Sequence, residues 1–285
     1  MIDLFVAASL VALGLLVGTV SAMVGVGGGV FVVPTLILVY GLQSQQAVGT
    51  SLGMTVFTAI FGSIAYMRQG RIDWRVGLLA AGISIPAASL GAYSSKFLSS
   101  SLLGAILGGL IAALALRMVL SSLGPGDKVR GAFRITQPRA SRGNLTRPWS
   151  RTLVDSSGTT FRYDVHFLRG IAPIFAGGYA AGLLGVGGGI LIVPVYSEIM
   201  GMPIHVAVAT TLLSMIFTAI SGVTVHLNLG NIFVDYVAAL ALGIFFGSQL
   251  GASFARRLHR RTLMRYFGLA AFVVAFSLVA TMLFG

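Results

Sequence analysis

Gly25-Val26-Gly27-Gly28-Gly29 lies in the middle of an apolar run and is followed by Pro34, and 160 residues further on Gly185-Val186-Gly187-Gly188-Gly189 lies in another and is followed by Pro194. Glycine loses more conformational freedom on ordering than any other residue, so four glycines in five positions break a helix. Each motif therefore reads as an unwound loop between one helix and a short helix that follows. At membrane depth such backbone is tolerated only where protein or water satisfies its N–H and C=O groups. Both loops are expected to be buried in protein or to line a cavity.

The repeat extends well beyond the loops. From position 18 to position 62, 18 of 45 residues are identical to those 160 places later, where chance gives about four or five. The shared positions include Gly41/Gly201, Ala47-Val48/Ala207-Val208, Thr50/Thr210, Leu52/Leu212 and Phe57-Thr58-Ala59-Ile60/Phe217-Thr218-Ala219-Ile220. Each copy reads as five apolar segments. In the first they fall at about 4–24, 29–41, 46–66, 75–95 and 101–121, and in the second at 167–184, 189–201, 205–228, 234–255 and 262–284. The chain thus divides into a first transmembrane repeat, 1–121, a basic linker, 122–165, and a second repeat, 166–285. Within the linker, Thr152 to Phe161 reads as two short strands around a turn.

Composition sets the solvent. The 285 residues are 56% hydrophobic and 9% charged, against about 25% charged in a soluble domain. Segments of about 20 apolar residues are long enough to cross the hydrocarbon layer. Met1-Ile2-Asp3 lacks the positive start of a signal peptide, so Leu4 to Val24 is expected as a retained helix. There is no cysteine, which excludes disulfides, thiolate metal sites and cysteine nucleophiles. The formal charge of +12 raises nucleic-acid binding, but aromatics are not interleaved with the basic residues, most of which sit beside helix ends. Membrane topology accounts for the charge instead.

Basic short loops stay on the cytoplasmic side. The linker carries seven of the 17 arginines, the largest share of any loop, and so is expected inside, which also places Arg68, Arg71, Arg75, Arg256, Arg257, Arg260 and Arg261 inside and leaves Lys96 outside. Both termini then fall outside a multi-pass cell membrane protein. An odd number of crossings per copy, whether the first two segments cross or dip and return, makes the two copies run in opposite directions. The expected fold is all-α, polytopic, with two inverted five-segment repeats and about eight to ten membrane segments. Inverted repeats with interrupted helices are how many secondary transporters build two access states around one midplane site.

A helix that begins after a glycine loop offers free backbone N–H groups and the positive end of its dipole to an anion. Gly25, Gly27, Gly28, Gly29, Gly185, Gly187, Gly188 and Gly189 are therefore substrate-binding candidates, and close helix crossing is the competing explanation for such glycines. Thr50, Ser51, Thr210 and Thr211 recur at the start of the third segment of each copy, and their hydroxyls suit an oxyanion; helix capping or bonding to a carbonyl one turn back is the alternative. Glu198 is the carboxylate inside an apolar segment and a candidate for proton coupling, set against an interfacial acid near a helix end. His226, matched by Tyr66, is either a second coupling candidate or a buried hydrogen-bonded ring. Acids and histidines do not cluster, so no metal is expected. No cofactor motif is present: position 30 is valine where a dinucleotide loop has its third glycine, and no Gly-Lys-Ser/Thr occurs. A nucleophile and base at matched depth are missing too, so no enzymatic activity is expected.

The duplicated Gly-Val-Gly-Gly-Gly with its following Pro, together with Ala47-Val-Gly-Thr-Ser-Leu52 and Ala207-Val-Ala-Thr-Thr-Leu212, resembles the sulfite exporter TauE/SafE family, also called the toluene sulfonate uptake permeases. The resemblance covers both repeats and stops at the linker. It implies a transporter of sulfite or of organosulfur anions such as sulfoacetate and taurine-derived sulfonates, or of related small carboxylates. The expected partners are a small anionic substrate, the lipid bilayer and a coupling proton or cation. Two alternatives stay open: an anion channel built on the same loops, and a carrier of a non-sulfur carboxylate.

Overall fold

A computed structural model describes residues 3–25, 27–123 and 148–254; the segment expected at 262–284 lies outside them. Helix α1 (Leu4–Val24) ends where Gly25 turns left-handed at φ 77° and donates its N–H to Ser21 O. Helix α2 (Gly29–Leu38) starts from Gly28, also left-handed at φ 82°. Its ten residues rise about 15 Å at 1.5 Å each, half the hydrocarbon thickness, so α2 cannot cross by itself. Helix α3 (Ser44–Arg68) is capped by the Gln46 side chain turning back to the Gln43 N–H at 3.2 Å. Asp73 caps α4 (Trp74–Ser94) by accepting from the Val76 N–H. A 3₁₀ turn (Ser95–Phe97) leads to α5 (Ser100–Leu123).

Two antiparallel strands follow, β1 (Trp149–Val154) and β2 (Thr160–Val165), in the register Trp149↔Val165 to Val154↔Thr160. Then come α6 (Phe167–Leu184) and α7 (Gly189–Pro194), which continues as a π-helical turn (Val195–Ile199), and finally α8 (Ile204–Asn228) and α9 (Val234–Phe254). Among the described residues six helices, α1, α3, α4, α6, α8 and α9, are long and apolar enough to cross a membrane.

Helices α3 and α8 form the centre: 72% of the apolar window of each is buried, against 28% for α1 and 39% for α6. The outer helices show apolar side chains outward, among them Leu16, Leu90, Phe175 and Phe246. In water such a surface would be unstable; in a bilayer it is the face that lipid covers. Contacts between helices recur when 160 is added to one partner and subtracted from the other. A Cβ built on Gly18 would lie 2.9 Å from Ile244 Cα, and one on Gly178 would lie 3.0 Å from Ser84 Cα. Gly62 faces Leu212 Cδ1 at 3.0 Å and Gly222 faces Leu52 Cδ1 at 3.0 Å. Gly251 abuts the Thr19 carbonyl and Gly91 abuts the Tyr179 carbonyl. Thus α1 packs on α9 as α6 packs on α4, with small residues letting the backbones approach.

The hairpin is more than a surface loop. Phe161, Tyr163 and Val165 alternate toward the protein with the period of a strand. Tyr163 and Val165 join Val76, Ile174, Tyr196 and Val206 in one buried cluster, so the linker contributes to the core.

Candidate functional site

The two glycine loops meet at the middle of the molecule. A Cβ on Gly29 would fall on the Gly185 carbonyl oxygen, 2.7 Å from Val186 Cα and 2.9 Å from Ser51 Oγ. One on Gly27 would lie 2.9 Å from Met215 Sδ and 3.4 Å from the Val186 carbonyl; one on Gly187 would lie 3.3 Å from the same sulfur and 2.6 Å from Thr55 Cγ2. Gly25 packs on Val208 and Gly185 on Val48, the matching valine of the other copy. Each loop therefore lies against the third helix of the opposite repeat.

Three of the four glycines in each loop have left-handed backbone: Gly25, Gly27 and Gly28 at φ 77°, 84° and 82°, and Gly185, Gly187 and Gly188 at 71°, 73° and 73°. An L side chain at such a position costs about 1–2 kcal/mol. Gly29 instead has no room for a side chain, because the other loop's carbonyl occupies it. Backbone conformation and close approach thus account for Gly25, Gly27, Gly28 and Gly29 without reference to a ligand. What the glycines achieve is a close meeting of two unwound loops at buried depth.

The hydroxyls divide by partner. Thr50 Oγ1 accepts the Phe233 N–H at 3.2 Å, and Thr210 Oγ1 accepts the Asp73 N–H at 3.0 Å, two equivalent joints in which each third helix caps the start of the other copy's fourth helix. Ser51 Oγ donates to Gly185 O at 2.9 Å, tying α3 to the opposite loop. Thr55 Oγ1 lies 2.8 Å from Ser51 O and 3.3 Å from Gly27 O, so its one proton goes to the nearer carbonyl. Thr211 Oγ1, equivalent to Ser51, is buried and has no hydrogen-bond partner among the described residues. One turn further along α8, Ser214 Oγ accepts from the Tyr196 hydroxyl at 3.1 Å and donates to Thr211 O at 3.0 Å.

His226 is fully buried, with Nε2 3.2 Å from Gly182 O and Nδ1 3.3 Å from the Asn231 amide nitrogen. A carbonyl can only accept, so Nε2 carries the proton and Nδ1 accepts, which describes a neutral ring with both nitrogens used. Its counterpart Tyr66 donates to Ala22 O at 2.9 Å, the same joint with a different side chain. Glu198 lies exposed on the π-helical turn. Among the described residues no three His, Asp or Glu side chains group in a way that could hold a metal ion.

Sequence reasoning missed a buried charge cluster at the start of α4. The Asp73 carboxylate, with no exposed side-chain area, accepts from Arg151 Nε at 3.0 Å, Arg151 Nη2 at 2.9 Å, the Tyr163 hydroxyl at 2.8 Å and the Val76 N–H at 3.3 Å. Burial alone would raise the Asp73 pKa; the hydrogen bonds from Arg151, Tyr163 and Val76 outweigh it and hold the carboxyl below its ordinary range. Burial, and then the neighbouring Asp73 charge, push the Tyr163 hydroxyl well up, so it stays a donor. A second pair, Arg71 with Asp155 at 3.0 Å, fixes the hairpin turn, and Ser156 donates its N–H to Gln69 O at 2.9 Å. The Ser157 hydroxyl, against the cost of burial, and then the Thr159 N–H and Arg71 hold Asp155 below the carboxylate range. The available signal was the period of two in Phe161, Tyr163 and Val165, which marks an inward face inside an otherwise polar linker.

The profile of the sulfite exporter TauE/SafE family matches residues 10–278. A probable membrane transporter protein, YunE, of Bacillus subtilis (strain 168) is 30% identical over 277 residues, covering 95% of this chain and 96% of that one. A second from the same organism, YdhB, is 26% identical over 241 residues, covering 84% and 86%. A probable membrane transporter protein of Haemophilus influenzae is 27% identical over 285 residues, covering 93% and 95%. No solved structure matches the chain. With its multiple apolar helices and a family match along nearly its whole length, the chain belongs to the sulfite exporter TauE/SafE family and is a multi-pass membrane transporter rather than an enzyme.

Proposed function

We propose that this transporter carries a small anion, sulfite or an organosulfonate, by alternating access around the place where the two glycine loops meet. The observation that carries the reading is that meeting: two copies of one helix-breaking motif lie against each other at the buried centre, with Ser51 bonded to Gly185 O and Gly29 pressed on the same carbonyl. Backbone N–H groups at a helix start have no partner within the helix, and the aligned peptide dipoles favour negative charge there. Gly25, Gly27, Gly28 and Gly29, their counterparts Gly185, Gly187, Gly188 and Gly189, and the hydroxyl residues Thr50, Ser51, Thr210 and Thr211 frame the site. A site of neutral donors holds an oxyanion without a buried cation and so releases it readily.

The two repeats are inverted across the bilayer in this reading, as the odd number of crossings per copy requires; the exchange of contacts under a shift of 160 relates them by a two-fold operation. The basic linker, 122–165, faces the cytoplasm and both termini face outward, in line with the distribution of arginine. One repeat then moves against the other to expose the site alternately.

Uptake into proteoliposomes of sulfite, sulfoacetate, thiosulfate and sulfate, with and without an imposed pH gradient, tests the substrate class. Saturable uptake of a sulfur anion is the expected result, and a dependence on the gradient would direct attention to Glu198. Uptake of small carboxylates with none of any sulfur anion would overturn the assignment in favour of a carboxylate carrier.

A further inference from the structure

We infer that Thr211, and not its counterpart Ser51, supplies the side-chain hydroxyl that contacts the transported anion. The inference rests on the small-anion reading above and identifies the donor within that site. Four hydroxyls were candidates at equivalent places in α3 and α8. Thr50 and Thr210 each accept a backbone N–H from the far repeat, a joint that orders α9 and α4. Ser51 donates its proton to Gly185 O. These three have structural partners. Thr211 is fully buried and its oxygen has none among the described residues.

A buried hydroxyl without a partner is destabilising, so proteins rarely keep one without a use. The contacts of the two copies interchange at Gly18 and Gly178, Gly62 and Gly222, Gly25 and Gly185, Thr50 and Thr210, and Tyr66 and His226. By the same exchange, the bond from Ser51 to Gly185 O has as its counterpart a bond from Thr211 to the carbonyl of Gly25. That bond is not made, and the exchange breaks at this pair. A second departure lies one turn on, where Thr55 of the first copy corresponds to Met215, whose sulfur lies beside both Gly27 and Gly187. On α8, Met215 therefore brings an apolar, pliable side chain to the loops, and Thr211, one turn before it on the same helix face, carries a hydroxyl whose oxygen makes no bond among the described residues. An oxyanion held by backbone N–H groups can take a hydrogen bond from that donor with no protein bond broken to bind it. Use of Ser51 would instead require its bond to Gly185 O to break.

The chain contains no cysteine, so Thr211→Cys and Ser51→Cys variants each carry a single thiol. The probe is 2-sulfonatoethyl methanethiosulfonate, a small sulfonate anion, applied to the full chain in proteoliposomes. The Thr211→Cys protein is expected to react at least tenfold faster than the Ser51→Cys protein, and excess sulfoacetate is expected to slow it. Equal reactivity of the two variants, or an inert thiol in a monodisperse Thr211→Cys protein, would overturn the inference. A reaction of the Thr211→Cys protein that no sulfur anion slows would uphold Thr211 and count against the sulfur-anion reading, which separates the two failures. Melting temperatures give a test that needs no substrate. Thr211→Val removes a hydroxyl that bonds nothing among the described residues and should melt no lower than the parent, whereas Ser51→Ala, which strands the Gly185 carbonyl, should melt lower. A Thr211→Val protein that loses as much stability as Ser51→Ala would show that Thr211 is structural.

Discussion

Replacing Arg151 with alanine isolates the attachment of the linker hairpin to the helices. The Asp73 carboxylate has no exposed side-chain area and Arg151 has 24%. After the change Asp73 keeps the Tyr163 hydroxyl at 2.8 Å and the Val76 N–H at 3.3 Å but loses its cation. Breaking a buried ion pair on one side costs about 3–5 kcal/mol, because the remaining charge is stranded. The partial exposure of Arg151 argues for the low end, about 3 kcal/mol, since water can enter the space it leaves. At about 1.4 kcal/mol per decade this raises the detached population of the hairpin roughly 100-fold. Hydrogen exchange followed by mass spectrometry, reading peptides that cover 149–165, measures that population when reclosing is fast. Arg162→Ala, on the exposed face of β2, is the control and should leave exchange unchanged. A rise of less than about threefold for Arg151→Ala would refute the view that this pair fastens the hairpin.

Acidification should act on the same joint. The folded pKa of Asp73 is depressed, so its contribution is fully present above the unfolded value of 3.8 and is lost as pH falls through the folded one; the protection of the hairpin amides, taken relative to their intrinsic exchange rate at each pH, should therefore match at pH 7 and pH 5 and fall only below about pH 4. Thr210→Val strands the buried Asp73 N–H and should cost about 1–3 kcal/mol in unfolding experiments, whereas Thr210→Ser keeps the acceptor and should cost only its buried methyl, about 0.8 kcal/mol. Gly91→Ala drives a methyl group into the Tyr179 carbonyl and should destabilise the α4–α6 contact by about 1–3 kcal/mol, while Gly82→Ala, with nothing within 4 Å, should be neutral or slightly stabilising in the same thermal assay.

Much of the helical framework was legible because a membrane imposes a strict rule: apolar stretches of about 20 residues broken by glycine or polar turns. The expected segment at 4–24 is α1 at Leu4–Val24, and that at 205–228 is α8 at Ile204–Asn228. The duplicated motif led to the loops because three of its glycines are demanded by left-handed backbone, and such a demand is written directly in residue type. Partnerships were not legible. Thr50, Ser51, Thr210 and Thr211 look alike in sequence, and only the fold assigns the first three to Phe233, Gly185 and Asp73 while leaving the fourth without a partner among the described residues. The same holds for Arg151, which reads as one more cytoplasmic charge until the hairpin brings it 78 positions back to Asp73. Side chains whose partners are distant in sequence carry no local signal.

The central claim, that a small sulfur anion is carried by alternating access where the loops meet, is tested most directly by counterflow. Proteoliposomes holding excess unlabelled sulfite are diluted into labelled sulfite, and internal label is followed with time. An alternating carrier should accumulate label above its equilibrium level before the overshoot decays, and protein-free vesicles should not. Linear, non-saturating entry without an overshoot would identify a channel and contradict the account.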